Sequence, residues 1–342
     1  MSLLSYIQNL FSLPIAMDLG TANTLLYTKA GGIIVNEPSV VDLDVQTGEV
    51  LSIGAKAKTS RGRTPGRVRN VRPMRDGVIA DFDVTTRMIV YFIHQAMRKT
   101  WFRKPRMVIS IPTGVTQVEK RAVINAALTA GATKVVLVEE PMASAIGVGL
   151  PVGEPVGSMV VDIGGGTTEV AVITLSAVAV CNTVRVAGDA MNEAIIAALR
   201  SEYRLEVGEN TAERVKIAIG SAVPVPGLEP MFVSGKDLAC GCPTKVEISP
   251  DFVREALKGP VETIGEAVMR TMEQVAPTLA ADIFDTGITM AGGGSLLRGM
   301  DQYISQITHL PVHLDPDPLT AVLRGTASVM MNMDEYPDVF ID

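Results

Sequence analysis

The chain has 342 residues and a formal net charge of -7, too long for one compact core, so two domains of ordinary size or one duplicated architecture is expected and a single small module is excluded. Apolar residues make up 47% and charged residues 20%, which fills a substantial core and excludes a disordered chain. Three cysteines cannot form a disulfide framework and point to a reducing compartment on the cytosolic side of a membrane.

The net charge hides a split. Residues 1–150 carry 18 Lys and Arg against 11 Asp and Glu, a net +7, whereas residues 151–342 carry 12 against 26, a net -14. The first 17 residues have no charged side chain. They lack a basic n-region, are interrupted by Ser2, Ser5, Gln8, Asn9 and Ser12, and stop at Pro14. That is short of the ~20 residues a span needs, so neither a signal peptide nor a transmembrane helix is expected. Instead Leu3, Leu4, Ile7, Leu10 and Phe11 fall on one stripe of an amphipathic helix. An interfacial anchor and a short helix docked on the body both fit, because the polar face has no Lys or Arg to hold anionic lipid.

Pro14 to Met17 is a short apolar strand leading into D-L-G-T-A-N-T at 18–24, and Leu25 to Thr28 reads as the returning strand. Lys56, Lys58, Arg61, Arg63, Arg67, Arg69, Arg72 and Arg75 form a basic run with no acid before Asp76. It has no aromatic residue for base stacking. Nucleic acid is therefore not the expected partner; a solvated subdomain face, or one side of a head-to-tail contact with an acidic surface of the next copy, is. The only Trp, Trp101, stands beside Phe102 among Arg98, Lys99, Arg103, Lys104 and Arg106. Adjacent aromatics ringed by cations fit a loop tip dipping into lipid headgroups, with a hydrophobic contact to a partner protein as the alternative. In V-V-L-V-E-E-P a carboxylate, Glu140 with Glu139 competing, ends an apolar strand and Pro141 starts the next helix. Catalytic side chains stand at such places in α/β folds; an N-cap is the plainer role.

Met159 to Val161 then leads into D-I-G-G-G-T-T-E at 162–169, followed by Val170 to Thr174, and so repeats the first pattern 144 residues on, Asp18 against Asp162. An internal duplication follows, each copy heading its own α/β domain. Glycines let a turn approach a polyphosphate closely, and backbone N–H groups with Thr hydroxyls cradle its oxygens. The Asp ending each entering strand is a hard ligand for Mg2+ through its water shell. One such turn marks any tight hairpin; two related turns point to a phosphate clamped between two domains. A third turn, Gly292 to Ser295, follows the strand Ile288–Ala291 and precedes a helix through Met300 and Ile304, another close-approach site for a nucleotide. Cys240-Gly241-Cys242 has too few ligands for zinc, and His309 and His313 flank Pro311 without an H-E-x-x-H motif.

From about residue 14 to about residue 330 the chain resembles the actin, Hsp70 and sugar-kinase ATPase superfamily, and within it the MreB/Mbl family of bacterial actin homologues. The resemblance rests on D-L-G-T-A-N-T (18–24), G-R-T-P-G (62–66), R-P-M-R-D-G-V-I-A-D-F (72–82), E-E-P-M-A-S-A-I-G (139–147), V-V-D-I-G-G-G-T-T-E-V-A-V (160–172), T-A-E-R-V-K (211–216) and A-G-G-G-S-L-L-R-G (291–299), in the family's order.

The resemblance implies an α/β actin-like ATPase fold: duplicated ribonuclease-H-like domains with two smaller inserted subdomains and a nucleotide cleft between the halves. It places an amphipathic segment at 1–13, subdomain IA at 14–34, 77–146 and 311–342, IB at 35–76, IIA at 147–182 and 245–310, and IIB at 183–244. Thr21, Ala22 and Asn23 match the family's first phosphate loop, and Gly164, Gly165, Gly166 and Thr167 its second. Glu213, Arg214 and Lys216 match one wall of the adenosine pocket; Gly293, Gly294, Ser295 and Leu296 match the other. Asp18 and Asp162 fall where Mg2+ is held through water. Glu140, with Thr167 and Asp162, matches the residues that polarise and organise the attacking water. The implied activity is hydrolysis of ATP to ADP and phosphate coupled to polymerisation. Leu3, Leu4, Ile7, Leu10, Phe11, Trp101 and Phe102 would place filaments on the inner face of the cytoplasmic membrane, beside cell-shape and wall-synthesis proteins that maintain rod shape. A sugar-type kinase of the same fold, the division protein FtsA and a plasmid-segregation actin are the alternatives.

Overall fold

The computed structural model describes residues 12–97 and 104–341. The expected N-terminal stripe and the Trp101–Phe102 tip lie outside the described residues. The chain forms two compact units, the first from Met1–Val156, Ile173–Val178 and Thr320–Asp342, the second from Gly157–Val172 and Ala179–Leu319.

In the first unit, β1 (Ser12–Leu19) and β2 (Asn23–Thr28) form the expected hairpin, and β3 (Gly32–Pro38) continues it. Ile15 to Leu19 are all buried, because this strand is central and covered on both faces. It pairs in parallel with β9 (Lys104–Ile111), which pairs in parallel with β10 (Lys134–Glu139); β19 (Phe340–Ile341) closes the edge, giving the order β19-β10-β9-β1-β2-β3. Strand alternation divides the residues. Ile15, Met17, Met107 and Ile109 join a core with Met88, Ile89, Phe92 and Ile93 of the helix Phe82–Met97. Ala16 and Val108 face the other side, where the helices Glu140–Gly147 and Ala321–Met331 pack.

Those two helices cross at glycine. A Cβ on Gly147 would overlap the Ala321 carbonyl, and one on Gly325 would overlap the Ala143 carbonyl, so backbone meets backbone with no room for a side chain. Gly325→Val is expected to destabilise the protein by about 3 kcal/mol or more, the upper range for overpacking, read as a fall in the thermal unfolding midpoint. Wild-type stability in that variant would refute the crossing.

The insertion after β3 holds β4 (Val41–Asp44), β5 (Val50–Ile53) and β6 (Val68–Val71) in the order β5-β4-β6 with the helix Ala55–Ser60. Its polar centre is Asp42, which accepts from Ser52 Oγ, Ser60 Oγ and Asn70 Nδ2 at 2.7, 2.6 and 2.6 Å. Arg67 Nε donates to Asp44 at 2.6 Å and, with the Thr47 and Gln46 amides, holds that carboxyl below its ordinary range. Lys56, Arg63, Arg67, Arg69 and Arg75 are exposed. The D-G of R-P-M-R-D-G-V-I-A-D-F is a two-residue hairpin between β7 (Met74–Arg75) and β8 (Val78–Ile79), with φ of 50° at Asp76 and 74° at Gly77; Asn-Gly and Asp-Gly pairs supply this turn because both positions need positive φ.

The second unit is built on the sheet β13-β12-β11-β17-β18, from β11 (Ser158–Ile163), β12 (Thr168–Thr174), β13 (Ala177–Val184), β17 (Ile288–Ala291) and β18 (Val312–Leu314). All six β11 residues are buried, and β11 runs parallel to β17 with Asp162 opposite Ala291. The helices Gly188–Tyr203, Glu209–Ile219 and Pro250–Gln274 contribute Met191, Val215 and Ile264 to its core. A three-stranded sheet, β14 (Leu205–Glu206), β15 (Met231–Asp237) and β16 (Pro243–Ile248), carries exposed Cys240 and Cys242 between its last two strands. One detail departs from the sequence reading. The third glycine turn does not open directly into a helix: a 3-10 turn, Gly293–Leu296, intervenes, and the helix starts at Met300 behind Gly299, whose φ is 72°.

Candidate functional site

The first loop is built from one buried Asp and one glycine. Asp18 is 9% exposed at the end of β1. Gly20 follows because a Cβ there would sit 2.7 Å from the Asn23 carbonyl. The loop's carbonyls are turned inward and satisfied: Ser39 Oγ donates to Gly20 O at 2.7 Å and Ser39 N to Ala22 O at 3.0 Å. Thr21 is fixed by the Gly77 N–H, which donates to its Oγ1 at 3.2 Å. Among the described residues, the Thr21 and Ala22 N–H groups donate to no other group of the protein.

The second loop repeats the design at the same offsets. Asp162 is 8% exposed, and Gly164 N donates to Thr167 O at 2.9 Å across the turn. Again the carbonyls point inward, here to a helix N-terminus: Gly188 N donates to Gly164 O at 3.2 Å and Asp189 N to Gly165 O at 2.8 Å. The Gly165 and Gly166 N–H groups donate to no protein acceptor among the described residues. In both loops, then, carbonyls are engaged and successive N–H groups are left for an outside acceptor, the arrangement of an anion-binding nest.

The third turn lies against the second loop. Gly292 has φ 78°, and a Cβ there would overlap the Asp162 carboxylate and the Ile163 carbonyl. Ser295, 2% exposed, closes the turn by donating to Gly292 O at 2.6 Å. Glu213 and Lys216 share one face of the helix Glu209–Ile219, three positions apart. Lys216 Nζ donates to Gly188 O at 2.7 Å, which ties this wall to the second loop. Arg298 joins it to the third turn, donating to Ile217 O at 2.8 Å and accepting from Ala222 N at 2.8 Å. Arg214 is exposed a helical step of about 100° from Glu213, and Leu296 is half exposed.

Glu140 is the first residue of the helix Glu140–Gly147, so Glu139 rather than Glu140 ends the strand and occupies the N-cap, without a side-chain capping bond. Both are half buried. Asp18 and Val138 each stand in register with Ser110 of β9. Glu140 and Asp18 are thus at the C-terminal ends of strands two places apart, about 10 Å at the usual strand spacing, where ligands of parallel sheets bind. No group of three metal-ligating side chains occurs among the described residues. Asp18 and Asp162 are each a single buried carboxylate at the end of a strand, chemistry that suits an outer ligand of a hydrated ion rather than a protein cage.

A family model described as MreB/Mbl protein matches residues 12–338. The chain belongs to the MreB/Mbl family. It is 47% identical over 339 residues to the cell shape-determining protein MreB of Escherichia coli (strain K12), covering 98% of each. With the cell shape-determining protein Mbl of Bacillus subtilis (strain 168) it shares 42% over 328 residues, covering 96% of this chain and 98% of Mbl. The crystal structure of MreB5 of Spiroplasma citri bound to ADP superposes with a TM-score of 0.91 at 34% identity, covering 96% of this chain and 98% of that one. The MreB/Mbl fold expected from the seven motifs is thus the fold of this chain, an actin-like α/β architecture, and its function is that of the cell-shape determinants.

Sequence reasoning missed the residues that hold the loops in place: Ser39, Gly77, Gly188, Asp189 and Arg298. Gly188 had a local signal, a glycine and an Asp opening an amphipathic helix. Ser39 had none, since its partners lie in a hairpin 15 to 19 residues earlier.

Proposed function

We propose that this MreB/Mbl protein binds ATP with Mg2+, hydrolyses it to ADP and phosphate, and polymerises on the inner face of the cytoplasmic membrane, where it maintains rod shape by positioning cell-wall synthesis. The observation that carries the reading is the paired loops, whose carbonyls are engaged within the protein and whose Thr21, Ala22, Gly165 and Gly166 N–H groups donate to no protein acceptor among the described residues. ATP supplies the γ-phosphoryl group, and Mg2+ neutralises its charge. Thr21 to Asn23 and Gly164 to Thr167 each bind phosphate oxygens. Asp18 and Asp162 each offer a carboxylate to a hydrated Mg2+, while Glu213, Arg214, Lys216 and Gly293 to Leu296 would line the adenosine. Glu140 orients and deprotonates the attacking water, and Thr167 and Asp162 are the other residues assigned to catalysis. That MreB5 was solved with ADP supports the nucleotide assignment.

The subdomain partition given above is proposed with this function. Head-to-tail addition leaves an open, non-closing contact and hence filaments. The exposed cations of residues 56–75 supply one face of that contact, and the net -14 of residues 151–342 the other. Leu3, Leu4, Ile7, Leu10, Phe11, Trp101 and Phe102 form the membrane face. No helix of the described residues is long and apolar enough to cross a membrane, so attachment is peripheral in this reading.

Two measurements test it. Equilibrium titration of a fluorescent ATP analogue should show one site per chain that weakens when Mg2+ is chelated; no saturable binding would sink the nucleotide reading. Deleting residues 2–11 together with Trp101→Ala and Phe102→Ala should abolish co-sedimentation with anionic vesicles while ATP hydrolysis continues. Unchanged vesicle binding would remove these residues from the membrane face.

A further inference from the structure

Cys240-Gly241-Cys242, which the proposed function leaves unused, lies in the turn that joins β15 to β16. The turn is closed at both sides. Asp237 N donates to Cys242 O at 2.9 Å and Gly241 N to Asp237 O at 2.8 Å, so Leu238 to Gly241 form a four-residue loop. Two further bonds fix its shape: Ala239 N donates to Asp237 Oδ1 at 2.6 Å, and Leu238 N to Arg204 O at 2.9 Å. Gly241 has φ 74°, the left-handed position that glycine supplies without a steric cost.

This backbone sets two thiols side by side. A residue in the left-handed region holds the Cα atoms of its neighbours about 5.4 Å apart, the i to i+2 distance of a helix of either hand. A disulfide spans roughly 4.4–6.8 Å between Cα atoms. The side chains are folded toward each other, since Cys242 N donates to Cys240 Sγ at 3.3 Å and Cys242 Sγ donates to Cys240 O at 3.6 Å. Both cysteines are exposed, whereas Cys181 is half buried. Among the described residues no third His, Cys, Asp or Glu completes a metal site with them, so the pair stands as a dithiol. Its two members differ. Hydrogen bonding to Cys240, with desolvation and the Asp237 carboxylate, pushes the Cys242 thiol up. The thiolate is the nucleophilic form; Cys242 therefore keeps its proton and Cys240 is the attacking sulfur.

We infer that Cys240 and Cys242 form a peroxide-reactive site that closes to a reversible disulfide. The Cys240 thiolate attacks one oxygen of hydrogen peroxide. The O–O bond breaks, the second oxygen leaves as hydroxide and takes a proton from solvent, and Cys240 becomes a sulfenic acid. Cys242 then attacks that sulfur; the S–S bond forms, the S–O bond breaks, and hydroxide leaves with the Cys242 proton as water. In sum two thiols and one peroxide give one disulfide and two waters. An accessible cysteine beside a resolving one is the arrangement that confines oxidation to this reversible step. Exchange with a low-molecular-weight thiol reopens an exposed bridge of this kind, which makes the site compatible with a reducing compartment. The chemistry is independent of the nucleotide and membrane readings.

The reduced full chain is treated with equimolar hydrogen peroxide, quenched, alkylated after unfolding and mapped by mass spectrometry. Loss of two hydrogens from the segment holding Cys240 and Cys242 is expected, within one chain and reversed by dithiothreitol, with Cys181 still alkylated. Serine keeps a hydrogen-bonding group at either position and so tests the roles separately. Cys242→Ser should accumulate a sulfenic acid at Cys240 that dimedone captures. Cys240→Ser should consume peroxide about threefold or more slowly than Cys242→Ser, because Cys242 holds its proton more tightly. Both thiols still alkylated after peroxide treatment, or bridges formed only between chains, would overturn the site. Equal rates in the two variants would overturn the assignment of Cys240 as the attacking sulfur.

Discussion

Replacing Glu140 with glutamine is expected to slow ATP hydrolysis by about 10²- to 10⁴-fold, the range for loss of a positioned general base, with ATP affinity changed by less than about threefold. The side chain opens a helix whose second residue is Pro141, so its backbone is preset at the C-terminal edge of the sheet. It is half buried, on the same edge as Asp18. Glutamine keeps the volume and a hydrogen bond to water but cannot take its proton. Glu139 is the control, because it is adjacent and equally half buried but occupies the extended N-cap position, with φ -70° and ψ 138°. Single-turnover phosphate release should fall steeply in Glu140→Gln and by less than about threefold in Glu139→Gln. Equal slowing in both, or slowing in Glu139→Gln alone, would transfer the role away from Glu140.

Gly292→Val should abolish ATP binding, weakening it at least about 100-fold. Two costs combine there. A φ of 78° strains any L side chain by about 1–2 kcal/mol, and the new Cβ would displace the Asp162 carboxylate and the Ile163 carbonyl that set the second loop. Gly241→Val separates the two, since Gly241 has φ 74° with open space around its Cβ position. It should carry the backbone strain and keep ATP binding. Equilibrium nucleotide titration with thermal unfolding of both variants makes the comparison; ATP affinity within threefold of wild type in Gly292→Val would show that Asp162 is not positioned through this contact.

What could be read from sequence was local. Asp18 and Gly20, like Asp162 and Gly164, stand two residues apart, and each glycine is needed by a turn that closes three residues later. Such signals survive in a linear pattern, and so the two related glycine turns were legible. The strands around them were legible for the same reason, as short apolar runs bounded by turn residues. The supports were not. Gly77 reaches Thr21 over 56 residues, and Arg298 reaches Ile217 over 81. A contact of that separation leaves no periodicity and no motif, only a residue type that many surface positions share. The helix expected through Met300 and Ile304 is there as Met300–Thr308, but the 3-10 turn and the left-handed glycine that separate it from Gly292, short-range choices of the backbone, left no signal in the sequence.

The central claim is that nucleotide occupancy of these loops drives assembly on a membrane. Electron microscopy and pelleting of the full chain on anionic liposomes, with ATP·Mg2+, with ADP·Mg2+ and without nucleotide, test it most directly. Filaments bound to the liposomes with ATP·Mg2+ and phosphate released to water are predicted, with less assembly as salt rises and screens the exposed cations of residues 56–75. Absence of filaments with any nucleotide, together with transfer of the γ-phosphoryl group to a small acceptor, would contradict it.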